Sequence, residues 1–350
     1  DAAAVHPPVK LKNNFFTEPV EGVVEGYSLP GRHEVDPSAV MAFFYYVLFG
    51  MMLSDAAYGI LTVVGSAFAL RKFPDMELKM RKTLRMFLFC GISTTVWGVL
   101  FGSYFGDAIP VIAQTFFHTE ITVPALWFEP LDDPMRLLIF SFGVGVAHLF
   151  TGLGVQFYQL AKQKKYADAI YDVVFWYLLV GGLIVVLLST EIFQNIAELP
   201  FVVPGPVAAV ARVLAGIGAV GILFTAGRES RNPVKRFLKG LYGLYGVSSY
   251  LSDILSYSRL LALGLATSVI STVFNQLGAM LGGGVVGAIF FAVVFLIGHS
   301  MNMAINLLGA YVHTNRLQFV EFFGKFYEGG GRAYAPFAAN TKHFQIKEEK

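Results

Sequence analysis

Residues 260 to 315 contain no Asp, Glu, Lys or Arg, and an arginine closes the stretch at each end: Arg259 in LSYSRLLALGLATSVIS and Arg316 in GAYVHTNRLQFVEFF. An uncharged run of this length belongs in hydrocarbon, where only helices and closed barrels satisfy their own backbone groups. A guanidinium is charged at any attainable pH, and placing one in a membrane helix costs at least about 2.5 to 3.5 kcal/mol. Both arginines therefore need partners and become the first candidates for function.

The rest of the chain agrees. It is 55% hydrophobic and only 14% charged, with mean hydropathy +0.59 and 33 Phe. A soluble domain carries roughly 25% charge, so the expected fold is an all-α polytopic membrane protein. A single cysteine, Cys90, excludes an intramolecular disulfide and a cysteine-rich metal site. The opening DAAAVHPPVKLKNN has neither an initiator Met nor the basic-then-apolar order of a signal peptide, which suggests a piece of a longer protein.

Apolar runs of spanning length occur at 84 to 106, 135 to 160, 170 to 192, 206 to 226, 247 to 281 and 285 to 322. The run 39 to 70 is too long for one crossing and holds Asp55 at its centre. Segments 71 to 85, 161 to 169 and 227 to 246 are basic, whereas 107 to 133 and 193 to 205 contain no Lys or Arg. The positive-inside rule makes the basic loops cytoplasmic, and two crossings within 39 to 70 then put both chain ends inside, giving about eight spans. The expected division is a cytoplasmic lead-in (1 to 38), helices 1 to 6 (39 to 246), a final pair of long, tilted helices (247 to 325) and a cytoplasmic tail (326 to 350). F-G-x-x-x-[SG]-D occurs twice, at Phe49 to Asp55 and Phe101 to Asp107, an echo short enough to arise by chance. Gly102 with Gly106 and Gly278 with Gly282 read as small-xxx-small pairs for close helix approach.

Enzyme chemistry is missing. There is no P-loop and no H-E-x-x-H, and Gly216-Ile-Gly218-Ala-Val-Gly221 matches a dinucleotide fingerprint without the strand it requires, so helix packing explains it. No catalytic residue, metal, cofactor or nucleic acid is expected. Stepping back from Arg316 by three and four residues gives His313, Gly309, Asn306, Asn302 and His299, one face of an ideal helix. The same steps from Arg259 give Ser256, Ser252 (beside Asp253) and Ser249 on one side and mostly apolar positions on the other. These polar residues are candidates for lining a water-filled path; taken singly, the asparagines and serines serve equally well as interhelical hydrogen-bonding groups. His148, Arg136 and Arg212 read as structural.

SYSRLLALGLA and RLQFVEFFGKFYEGGGRAYAPF resemble the membrane half of the stator subunit of rotary V-type ATPases, called subunit a or subunit I. PPVKLKNNFFTEPVEGVVEGYSLPGRHEVDPSAV is similar to that family's lead-in, and FFYYVLFGMMLSDAAYG to its first membrane pair; the SYSRL form is similar to the bacterial and archaeal branch. The resemblance implies a multi-pass subunit of a prokaryotic plasma membrane, without nucleotide chemistry of its own. It would work beside a rotating ring of c-type or K-type subunits that each carry an essential carboxylate. A large N-terminal domain would link it to the peripheral stalk and the soluble ATPase subunits. Arg259 matches the family's essential arginine and Arg316 its second one. Thr267 stands where some eukaryotic members have His, and Asn306 where they carry Glu, so their proton path does not transfer unchanged. A secondary transporter binding an anionic substrate through the arginines is the alternative from another class, and a passive membrane anchor a third.

Overall fold

The computed structural model describes residues 6–339 together with 341, 343, 344 and 346. Its elements are helical, with three isolated β-bridges and no strand among the described residues. In chain order the helices are α1 (Glu21–Tyr27), α2 (Ser38–Leu53), α3 (Ala56–Lys72), α4 (Leu78–Phe101), α5 (Ala108–Phe117), α6 (Pro134–Lys162), α7 (Tyr166–Ser189), α8 (Glu191–Ala197), α9 (Gly205–Thr225), α10 (Pro233–Ser256), α11 (Ser258–Gly278) and α12 (Val285–Phe326). Six helical segments are long and apolar enough to cross a membrane: α4, α6, α7, α9, the joined α10–α11 and α12.

The run 39 to 70 does break at Asp55, into helices of 16 and 17 residues. Ser54 takes a left-handed conformation (φ 31°), and Asp55 becomes the N-cap of α3. Its fully buried carboxylate accepts hydrogen bonds from Ala57 N (3.0 Å), Tyr58 N (3.2 Å), Ser103 Oγ (2.9 Å), Phe105 N (3.1 Å) and Gly106 N (3.0 Å). Capping alone accounts for the first two. The other three fasten the α2–α3 break to the turn after α4. Ala56 N donates to Ser103 O at the same place, 2.9 Å.

That turn ends α4 at Phe101, short of the expected 106. Gly102 and Gly106 have φ of +70° and +68°, so they form the turn instead of a small-xxx-small pair within a helix. Gly278 does pack as expected, against Phe291, but Gly282 lies beyond the helix with φ +71°. Close helix approach occurs at Gly98, where a Cβ would sit 2.0 Å from Ala56 N. It occurs again within the G-x-G-x-x-G run, where a Cβ on Gly218 would lie 2.7 Å from Phe175 O. That run is helix packing.

α2 is apolar on all sides, and a helix of that kind is buried. Met41, Tyr45, Leu48, Phe49, Met51 and Leu53 have no exposed surface, and α2 runs through the main core against α4, α11 and α12. α7 and α9 pack beside it as a smaller unit with its own core around Leu179, Ala215 and Ile222. α10 begins at Pro233, well before 247, so basic Lys235, Arg236 and Lys239 stand on a helix. Its first turn starts from Asn232, whose side chain caps Val234 N. At the end opposite the Asp55 knot, lead-in and tail join: Val9 N donates to Arg332 O (2.7 Å), and the Glu34 carboxylate accepts from Gly31, Glu328 and Gly329 N.

Cys90 is the single cysteine and is buried, so thiol labelling of Cys90 reports loss of the core. Replacing Asp55 by Ala leaves five donors without their acceptor, two of them buried and three half-buried, at roughly 1 to 3 kcal/mol for each buried group left unsatisfied. A temperature ramp with a maleimide dye is expected to show Cys90 reacting roughly 5 to 15 °C earlier in Asp55→Ala. An unshifted curve would mean that Asp55 is not the tie.

Candidate functional site

α11 and α12 pack against one another as the last two long helices. Along their contact, His299, Asn302 and Asn306 of α12 are all buried. They meet Thr267, Ser271 and Asn275 of α11, spaced four residues apart and also buried. Tyr58 of α3 closes the third side. Tyr58 Oη donates to His299 Nδ1 (2.6 Å), and His299 Nε2 donates to Asn275 Oδ1 (2.7 Å). Asn275 Nδ2 in turn donates to Asp107 Oδ1 (3.0 Å) and Phe105 O (2.7 Å). Asn302 Nδ2 donates to Tyr58 Oη (2.9 Å) and Ser271 Oγ (2.8 Å), and Asn306 Nδ2 to Asn302 O (3.0 Å).

The stripe expected on α12 therefore forms a polar seam filled by protein, in which each group satisfies the next. His299 and Tyr58 along it, and Asp107 at its end, are its ionisable groups, and the Ser271 hydroxyl can relay between them; side-chain amides orient but do not relay. Sequence stepping from Arg259 misses the α11 half because Thr267, Ser271 and Asn275 lie on a different face from Arg259. Their i, i+4, i+8 spacing is the available signal. The two F-G-x-x-x-[SG]-D segments also part company here. Asp55 caps its helix, whereas Asp107 makes no capping bond and turns to Asn275.

The seam ends beside a cavity of about 270 Å³ at the α4–α5 turn, lined by Asp107, Glu129, Ser268 and Thr272. Burial raises the Glu129 carboxyl above its ordinary value, with Asp132 adding to the effect. No lysine or arginine lines this cavity. It suits a small cation better than an anion.

At the far end of the seam stand the arginines. Arg259 is half-buried; its guanidinium lies 3.3 Å from His313 Nδ1, and its Nε is buried with no partner among the described residues. Arg316, one turn past His313, is exposed at the rim between the seam and an apolar face bearing Met301, Ile305, Leu308 and Val312. Among the described residues neither arginine makes a salt bridge. The contrast is with Arg228, paired to Asp168 (2.9 Å) and Asp172 (3.2 Å), and with the exposed Arg136, paired to Asp133 (3.3 Å). Asp253 is bound at 2.6 Å to Lys325, and Ser256 donates to Ser252 O (3.0 Å) while Ser252 itself is exposed.

Two groups near the arginines carry no signal in the sequence. α12 passes through a π-turn at Leu317–Phe322, directly after Arg316, which leaves Gln318 and Glu321 both buried. His148 of α6, read as structural, lies between them and α11. Its Nδ1 is 2.5 Å from Tyr257 Oη and its Nε2 is 3.2 Å from Gln318 Oε1, with its ring stacked on Phe322. Tyr257 is the junction of α10 and α11, so His148 joins the residue two before Arg259 to the residue two after Arg316.

A sequence profile of the V-type ATPase 116kDa subunit family matches residues 247–339, which include both arginines and most of the seam. Over nearly its whole length the chain is similar to proteins named A-type ATP synthase subunit I. That of Pyrococcus horikoshii is 34% identical over 348 residues, covering 98% of this chain and 49% of the relative. That of Methanocaldococcus jannaschii is 31% identical over 360 residues, covering 96% and 50%. The V-type ATP synthase subunit I of Chlamydia pneumoniae is 23% identical over 384 residues, covering 94% and 54%. The chain spans about half the length of the relatives it matches.

The seam predicts energetic coupling. Tyr58→Phe and His299→Leu each remove one side of the same buried bond, so their effects on Cys90 protection should be non-additive by about 0.5 to 3 kcal/mol in a double-mutant cycle. Simple additivity would refute the network.

Proposed function

We propose that this chain, a relative of A- and V-type ATP synthase subunit I along nearly all its length, is the membrane part of the stator of a rotary ion-translocating ATPase or ATP synthase. In this reading α2 and α3 cross as a short pair, giving eight crossings with lead-in and tail on the cytoplasmic side. The chain exchanges ions with carboxylates on a turning ring and binds no nucleotide itself.

One observation carries the reading: Arg259 stands half-buried between membrane helices with a buried, unpartnered Nε and no salt bridge to a carboxylate among the described residues, whereas Lys82, Arg228 and Lys325 are each paired with one. A charge in that position needs an acid from outside. The exposed apolar face of α12 beside Arg316 supports docking of a second helical surface there. A ring carboxylate arriving 4 Å from the guanidinium would gain about 4 kcal/mol at an effective dielectric of 20, equivalent to a pKa lowered by roughly three. That is enough to strip an ion from the rotor. Moving one charge through 100 mV is worth about 2.3 kcal/mol, so the pairing is matched in scale to the driving force. Arginine holds its proton throughout, so it draws the carboxylate in without letting a proton pass straight between the two sides.

Two access routes of different character support the same reading. At the α4–α5 end, the cavity at Asp107 meets the seam through Asn275 and His299. A second cavity, of about 420 Å³, lies at the lead-in and tail end beside Lys325. Arg259 and Arg316 stand between the two routes. His299, Asn302 and Asn306 then act by holding α12 against α11 and presenting polarity toward His313 and the arginines.

The test is transport by the full-length subunit in its assembled complex, in sealed vesicles. Arg259→Ala is expected to lower ATP-driven ion uptake by at least about 100-fold, the loss of most of a 4 kcal/mol pairing. The more exposed Arg316 should cost about tenfold when replaced by Ala, since solvent screens its charge. Uptake that survives Arg259→Ala would sink the stator reading, as would purification from native membranes as a solute-binding monomer without a carboxylate-bearing ring.

A further inference from the structure

Glu321 is the one acid inside the apolar stretch beyond Arg316, and it is 1% exposed. No salt bridge holds it: its Oε2 has no hydrogen-bond partner among the described residues, Ser256 bonds the carboxyl from α10, and the basic group acting on it is Arg316. Gln318, one turn earlier and fully buried, likewise has an unpartnered Nε2, and Arg259 an unpartnered Nε. Three buried polar atoms without partners, two of them within the π-turn and the third on Arg259, are far from the usual native condition, in which such groups are satisfied. Ser256 and Asp253 border Glu321 from α10, and Tyr257 from the α10–α11 junction.

The way out from this group leads toward the lead-in and tail. One turn beyond Glu321 on α12 is Lys325, held at 2.6 Å by Asp253 and 3.9 Å from the centre of the Tyr250 ring. Lys325 also lines the 420 Å³ cavity together with Gln156, Gln163 and Glu328. Glu321 thus lies behind a single ion pair from a water-accessible hollow on one side and within reach of the Arg316 charge on the other.

We propose that Glu321 is the proton carrier on the lead-in and tail side, handing protons between the rotor carboxylate and the cavity at Lys325. The inference rests on the stator reading and commits the cargo to protons. In one direction a rotor carboxylic acid gives its proton to Glu321 Oε2. The rotor group becomes a carboxylate paired with Arg259, and Glu321 becomes a neutral acid. Glu321 then passes that proton to water in the cavity as the Asp253–Lys325 pair opens, and returns to carboxylate. One proton is moved and no electrons change hands; rotation in the other sense reverses each step. A carboxyl group with a free oxygen is suited to the task, whereas His148 and Gln318 are committed to each other and to Tyr257.

The test compares Glu321→Gln, Glu321→Asp and Arg259→Ala in the assembled full-length complex, reading ATP-driven proton uptake in sealed vesicles together with the temperature at which Cys90 becomes reactive. The proposal expects Glu321→Gln to lose at least tenfold in proton uptake with Cys90 protection unchanged, and Glu321→Asp to recover a measurable part of the rate. If Arg259→Ala abolishes uptake but Glu321→Gln pumps at the unmodified rate, the proton-carrier assignment is wrong and the stator reading stands. If Glu321→Gln and Glu321→Asp fail equally and both lower the Cys90 temperature, Glu321 is a structural group and the assignment is again wrong. Uptake unaffected by Arg259→Ala removes the premise itself.

Discussion

The last two long helices depend on the hydrogen bonds gathered by one carboxylate, that of Asp55. A buried carboxylate is tolerable only when donors surround it, and five do. Through them the break between α2 and α3 is fixed to the turn after α4. Tyr58, whose backbone N donates to Asp55, also supplies the hydroxyl at the centre of the seam. The same turn presents Phe105 O and Asp107 to Asn275. One side chain therefore sets the positions of two elements that hold α11 against α12, and α11 and α12 carry the arginines. The dependence runs from a cap to a knot to a seam to a charge.

Much of this is legible in the sequence because hydrocarbon imposes simple rules. The uncharged stretch between Arg259 and Arg316 and the interruption at Asp55 both reflect the cost of polar groups in lipid, and the helices and the break at 54–55 agree with them. Side-chain faces are less legible. Stepping by three and four finds His299, Asn302 and Asn306 but places Arg316 on the same face, whereas it stands exposed at the rim. Over five turns the departure of 3.6 residues per turn from a strict three-four alternation accumulates, and the π-turn at Leu317–Phe322 then resets the register. Gln318, Glu321 and His148 are invisible to such stepping for that reason: their meeting depends on a local backbone irregularity and on a third helix, neither of which periodicity encodes.

The two arginines differ in the way their surroundings treat charge. Arg259 has a histidine, an unpartnered Nε and half its surface covered, so its field is poorly screened and its preference for an incoming acid is strong. Arg316 is exposed and faces an acid, Glu321, in its own helix. Helical stepping assigns the polar track to Arg316 and leaves Arg259 with an apolar outer side. The α11 residues Thr267, Ser271 and Asn275 correct that picture, since the track is shared by both helices. The asymmetry that survives is one of burial.

A protein-filled seam also bears on how such a site avoids leakage. An open aqueous channel from the Asp107 cavity to the arginines would need only one gate failure to short-circuit the membrane. Here the stretch between them contains asparagines, which do not relay, with His299, Tyr58 and the Ser271 hydroxyl as the groups able to exchange protons. Neutral His299 can accept at Nδ1 only if Tyr58 Oη stops donating there, and can release at Nε2 only if Asn275 rotates or gives up its bond. Each hop then requires breaking a satisfied buried hydrogen bond, at a cost of roughly 1 to 3 kcal/mol in an environment with no water to replace it. In the proposed stator such a barrier would lie below the pairing energy of about 4 kcal/mol for an arriving rotor carboxylate, while being several times thermal energy. On that proposal each hop along the seam is one that rotor pairing can drive and that thermal motion alone makes slowly.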